Sequence, residues 1–85
     1  MNKTPCKILI IEDNVQIRSA LKEVVELEGY EALEAGDGLE ALTVLEQSPL
    51  PNLILLDLLM PNMNGYEFLE RIKKNASSPI AAIPI

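Results

Sequence analysis

Lys7-Ile8-Leu9-Ile10-Ile11-Glu12-Asp13 is an unbroken aliphatic run that stops on two acids. A short continuous apolar run suits a strand buried on both faces, as in a parallel sheet covered by helices. Leu53-Ile54-Leu55-Leu56-Asp57 repeats the pattern, again closing on an acid. Tyr30–Ala35 is more mixed: Glu31 and Glu34 interrupt its apolar residues, so it reads as an edge strand.

Between these runs lie three helical patterns. In the first, Ile17, Ala20, Leu21, Val24 and Val25 share a face while Arg18, Lys22, Glu23 and Glu26 point away, and Gly29 ends the helix. In the second, Asp37 and Glu40 have capping-box spacing, and Ala41, Leu42 and Leu45 form the buried stripe. Ser48-Pro49-Leu50-Pro51-Asn52 then breaks the chain. In the third, Asn64 and Glu67 repeat the cap spacing, with Phe68, Leu69 and Ile72 as the stripe. The order is β-α-β-α-β-α followed by Pro79–Ile85, which predicts a doubly wound α/β parallel sheet. Placing the mixed strand at the edge and the aliphatic strands centrally gives a strand order of 2-1-3.

Composition narrows the chemistry. The chain has 85 residues, seven basic and thirteen acidic, for a formal net charge of −6. Its 48% apolar and 24% charged residues make a globular balance, and the length allows one domain. Without histidine there is no Ser-His-Asp or Cys-His catalysis and no imidazole-ligated metal. One cysteine, Cys6, makes neither an internal disulfide nor a thiolate zinc site, a usage that fits a reducing, cytoplasmic compartment. The acidic balance argues against nucleic-acid binding, and no apolar run is long enough for a membrane span.

In open α/β sheets, ligands bind beyond the carboxyl ends of strands, where the winding reverses. In a 2-1-3 sheet that point lies between strands one and three, so Glu12, Asp13 and Asp57 converge there. Carboxylates gathered in this way repel, and a divalent cation is the natural compensation. Mg²⁺ takes oxygen ligands and typically uses one or two carboxylates plus a phosphate. An aspartate beside such a metal can act as a nucleophile towards phosphorus, giving an acyl phosphate. A plainer role also fits each acid alone: Asp13 or Asn14 can cap the first helix, and Asp57 can be a solvated loop residue.

With these residues in place, the chain resembles response-regulator receiver domains. Ile8-Leu9-Ile10-Ile11-Glu12-Asp13-Asn14 and Asp57-Leu58-Leu59-Met60-Pro61-Asn62-Met63-Asn64-Gly65 are similar to that family's two signature segments. Gly36-Asp37-Gly38-Leu39-Glu40-Ala41-Leu42 is similar to the stretch between them. The resemblance implies a flavodoxin-like, CheY-like fold in which residues 1–85 form an incomplete receiver domain, reaching the start of a fourth strand at Ile83-Pro84-Ile85. It implies that Asp57 is the phosphoacceptor, receiving phosphate from a phosphohistidine on a sensor histidine kinase or histidine phosphotransfer protein. It further implies Mg²⁺ (or Mn²⁺) held by Asp13 and Asp57, by Glu12 mainly through water, and by the backbone carbonyl of Leu59. Such a chain is a signalling domain rather than a turnover enzyme.

Two departures carry consequences. The apolar side chain of Leu59 borders the phosphorylation site, and is expected to hinder the water that hydrolyses the acyl phosphate. The family's Thr or Ser at the end of strand four, and its Lys at the end of strand five, have no counterpart; none of Lys3, Lys7, Lys22, Lys73 and Lys74 stands at a predicted strand's carboxyl end. The alternative reading is therefore a receiver-like interaction module or fragment that binds a partner and does not switch. An aliphatic third strand left at an edge, and a first helix without a second helix beside it, predict dimerisation, swapping or aggregation of the chain alone. A longer parent protein is the simplest explanation of the length.

Two rival readings, a phosphatase or mutase and a dinucleotide-binding domain, fit less well. Phosphatases of the haloacid-dehalogenase type generally need a second acid two residues after the nucleophile, where Leu59 stands. The loose glycine pattern Gly36-x-Gly38-x-x-Ala41 follows the second strand and carries Asp37 where a pyrophosphate would lie, so it reads as a turn and helix cap.

Overall fold

Apolar residues that alternate between two covered faces make β1 (Lys7–Ile11) the centre of a parallel sheet in the computed structural model, which describes residues 6–47, 50–57, 65–74 and 79–85. β2 (Glu31–Ala35) and β3 (Leu53–Leu56) flank it, in the order β2-β1-β3. The edge placement of the mixed strand and the 2-1-3 order are as the sequence predicts. In register, Ile11 stands beside both Ala35 and Leu56, so all three strands end together.

Crossover helices cover both faces. α1 (Val15–Leu27) packs on β1 and β2 from one side, where Ile8, Ile10 and Val25 form a small core. α2 (Gly38–Gln47) and α3 (Gly65–Lys73) belong to the other side. There Leu9, Ile11, Ala35, Ala41, Leu45, Ile54, Phe68, Ile72 and Ile83 make the larger core, with Phe68 its bulkiest fully buried side chain.

Local chemistry fixes the helix ends. Asn14 caps α1, its side-chain oxygen accepting from the Ile17 N–H at 2.9 Å. At the other end Gly29 adopts φ 89°, donating to the Glu26 carbonyl at 3.0 Å while Tyr30 donates to Val25 at 3.1 Å. This is a Schellman closure, and a side chain at that φ would be strained. α2 shows the predicted cap: the Glu40 N–H donates to Asp37 Oδ1 at 2.8 Å, while the Glu40 carboxylate reaches one residue further back, to the Gly36 N–H at 2.9 Å. The Asn64 cap predicted for α3 lies outside the described residues.

Two features differ from the sequence expectation. Of the stripe on α1, only Val25 is buried; Ile17 is 49% and Val24 58% exposed. The helix leans over β1 and β2, leaving the half of its stripe that faces away from them without cover among the described residues. Leu53 and Leu55 on the same face of the sheet are accordingly only partly buried. The second feature is the C-terminal segment, where Pro79–Ala82 forms a turn of 3-10 helix and no strand follows it. The segment still reaches the sheet: the Ile54 N–H donates to the Pro84 carbonyl at 3.0 Å, and Ile83 enters the larger core. Among the described residues, no helix is long and apolar enough to cross a membrane.

Candidate functional site

The sheet's carboxyl edge is set by backbone bonds. The Glu12 N–H donates to the Ala35 carbonyl at 3.1 Å, and the Asp57 N–H donates to the Ile11 carbonyl at 3.0 Å. Each bond extends the parallel ladder one residue past its strand, so Glu12 and Asp57 leave the sheet side by side. Asp13 follows at the turn into α1. One carboxylate oxygen from each of Glu12, Asp13 and Asp57 lies within 4.8 Å of the other two. Glu12 and Asp57 are half-buried and Asp13 is exposed.

Of the plainer roles, the α1 cap belongs to Asn14, which leaves the Asp13 carboxylate to the cluster. Glu12 Oε2 accepts from the Asn14 N–H at 3.1 Å, so the turn that carries both acids is tied to the helix it opens. Leu59, expected to contribute its carbonyl, lies outside the described residues, as do Met60, Pro61, Met63 and Asn64.

Three carboxylates this close repel one another. Two like charges at about 4 Å repel by roughly 1 kcal/mol in bulk water and about 4 kcal/mol near a protein surface. The Glu12 carboxyl is held above its ordinary value, chiefly by desolvation, with smaller contributions from its hydrogen bond with the Asp13 side chain and from the charges of Asp57 and Asp13. The bond from the Asn14 N–H opposes the shift. An all-oxygen donor set of this kind suits a hard divalent cation, with neither nitrogen nor sulfur to favour a softer one.

Beside the cluster, a hollow of about 320 Å³ opens between α1 and β3, lined by Ile11, Leu21, Leu55 and Leu56 with Glu12 and Asp57 at its rim. Among the described residues its lining contains no ammonium, guanidinium or hydroxyl group.

One neighbour of the acids escapes the sequence reading. Arg18, assigned there to the outward face of α1, turns inward with only 18% of its side chain exposed. Its Nη1 donates to the backbone carbonyl of Glu12 at 2.7 Å and its Nε to Glu34 Oε1 at 3.3 Å. Lys22 Nζ stands 3.6 Å from Glu34 Oε2. The signal was present in part: Arg18 and Lys22 are one helical turn apart, and Glu34 shares the sheet face of Ala32 that α1 covers.

Residues 8–84 match the family model described as "Response regulator receiver domain". The chain is 40% identical over 74 residues to a probable transcriptional regulator ycf27 of Cyanophora paradoxa, covering 87% of this chain and 30% of that protein. It is 45% identical over 67 residues to sporulation initiation phosphotransferase F of Bacillus subtilis, covering 79% of this chain and 53% of that one. The chain thus spans from about a third to about half the length of these relatives. Among solved structures, the response regulator protein TrrA of Thermotoga maritima, in complex with Mg²⁺ and BeF, superposes with a TM-score of 0.77 at 36% identity, over 85% of this chain and 62% of that one.

Proposed function

Because this chain belongs to the response regulator receiver domain family, we propose that it is the phosphoacceptor module of a two-component phosphorelay, with Asp57 as the acceptor. The observation that carries the reading is the convergence of Glu12, Asp13 and Asp57 within 4.8 Å at the point where the winding of the sheet reverses. The site's oxygen donors fit Mg²⁺ or Mn²⁺, which Asp13 and Asp57 would hold with the Leu59 carbonyl, and Glu12 mainly through water. Once bound, the ion neutralises the acids and the charge on the transferring phosphoryl group.

The chain's own residues then do the following. Asp57, fixed by its backbone bond to Ile11, presents a carboxylate oxygen to the phosphorus of the donor. The new O–P bond forms as the P–N bond of the donor's phosphohistidine breaks, and the electron pair leaves with the imidazole, giving an acyl phosphate on Asp57. These 85 residues hold no histidine, so the donor imidazole lies outside them, on another protein or another domain, the fitting donors being a sensor histidine kinase or a histidine phosphotransfer protein. The module is a cytoplasmic signalling domain rather than a turnover enzyme. The Mg²⁺ and BeF present with the Thermotoga maritima protein support the choice of ligands.

A second reading, an interaction module that binds a partner without switching, is favoured by the exposed apolar side chains of Ile17 and Val24 on α1, a face that a partner would cover. The two readings separate on one experiment. Incubation with Mg²⁺ and either acetyl phosphate or beryllofluoride should give uptake detectable by intact mass or fluorine NMR, and Asp57→Asn should abolish it. A chain that ignores both reagents while still binding a kinase belongs to the second reading.

A further inference from the structure

We infer that Arg18 is a positioning residue for the acidic site: through the Glu12 carbonyl it holds the peptide that carries both β1-end acids, and Glu34 holds Arg18. The inference rests on the reading of Glu12 and Asp13 as cation ligands.

The Glu12 carbonyl is the first on β1 beyond the ladder. Its own N–H still pairs with Ala35, and the preceding carbonyl, that of Ile11, is taken by Asp57. The next carbonyl therefore needs a partner from elsewhere, and Arg18 Nη1 supplies one at 2.7 Å. Because the peptide unit is planar, fixing this carbonyl also fixes the direction in which the Asp13 Cα leaves it. One hydrogen bond so governs the spacing of two carboxylates that must meet Asp57 across the sheet.

The guanidinium is itself constrained. Its Nε bonds Glu34 at 3.3 Å, and Gly36 lies alongside, where a Cβ would meet Nη1 at 3.4 Å, in ordinary van der Waals contact. Lys22 engages the second oxygen of Glu34 at 3.6 Å. A planar fork donating to a carbonyl with one arm and a carboxylate with another is a geometry that lysine reproduces poorly. Since Glu34 already offsets part of the charge on Arg18, the main contribution to the site is placement.

Charge and placement predict opposite signs. Removing a cation near an acidic site should tighten Mg²⁺ binding if Arg18 acts by charge alone. If it acts by placement, Arg18→Ala should weaken binding by about tenfold, in the range seen when groups that orient ligands are lost. Calorimetric titration of the folded chain with MgCl₂ reads this directly, with circular dichroism confirming fold. Arg18→Lys, which keeps stem and charge, should recover part of the affinity, and Glu34→Gln should weaken it in the same direction. In metal-free buffer, amide hydrogen exchange at Asp13 and Asn14 should quicken in Arg18→Ala. Mg²⁺ affinity that is unchanged or tighter in both Arg18 variants, or unchanged amide exchange, overturns the inference and leaves the reading of the site intact. Failure of the unsubstituted chain to bind Mg²⁺ overturns both.

Discussion

The backbone N–H of Asp57 donates to the carbonyl of Ile11 at 3.0 Å, one residue past the end of β3. The acid's position is thus set by main chain, and its side chain can be changed without breaking the rung. Asp57→Asn should keep the fold and, by removing one of three clustered charges, raise the thermal midpoint in EDTA. In Mg²⁺ the order should reverse, because the unsubstituted chain gains binding free energy that the variant loses. Thermal melts in EDTA and in Mg²⁺ check both halves; a variant less stable than the parent in EDTA counts against the repulsion.

Much of this arrangement is legible in the sequence, for a physical reason. Fully apolar runs closing on acids at Ile11-Glu12 and Leu56-Asp57 specify neighbouring parallel strands and place their acids at one edge, whatever the details of packing. Caps are local, so Asp37, Glu40 and Gly29 could be read from spacing alone. Arg18 could not, because which way a helix leans depends on what else covers the sheet. A stripe centred on Ile17, Leu21 and Val24 predicts a helix facing the core squarely; lying over β1 and β2 instead, α1 turns Arg18 and Val25 inward and leaves Ile17 and Val24 in solvent.

Glu12 supplies a pH dependence. Its carboxyl sits above the usual range in the folded chain, with desolvation the largest cause, so between the unfolded and folded values the native state binds more protons than the unfolded one. Stability from this residue therefore falls as pH rises through that window, and the cost is gone below the unfolded value. Glu12→Gln should be more stable than the parent in EDTA at neutral pH. Its advantage should fade as pH is lowered through the carboxylate range. Paired urea titrations at neutral and acidic pH read the difference; an advantage that grows on acidification would reverse the sign.

Phe68 occupies the centre of the larger core with no exposed surface, beside Leu9, Ile11 and Ile54 in the same cluster. Phe68→Ala removes most of that side chain and leaves a cavity, for a cost of about 3–5 kcal/mol. Against the roughly 5–15 kcal/mol of an ordinary domain this is a large fraction. Urea unfolding should show the midpoint fall steeply, or the cooperative transition vanish. Phe68→Leu, with a smaller cavity, should lose less.

The uncovered half of the α1 stripe predicts how the 85-residue chain behaves alone. Ile17 and Val24 lie one above the other on a face with 49% and 58% exposure, over a sheet edge where Leu53 and Leu55 are only partly buried. Water contact with such a surface is unfavourable by about 25 cal/mol per Å², so association that covers it is favoured as concentration rises. Ile17→Lys with Val24→Lys places two charges on that face while leaving Val25, the buried member, in its core. Sedimentation velocity across a concentration series should show the parent self-associating and the double variant shifted towards monomer, with helix content unchanged. A parent that stays monodisperse and monomeric at every concentration would show that the exposed stripe is too small to drive association.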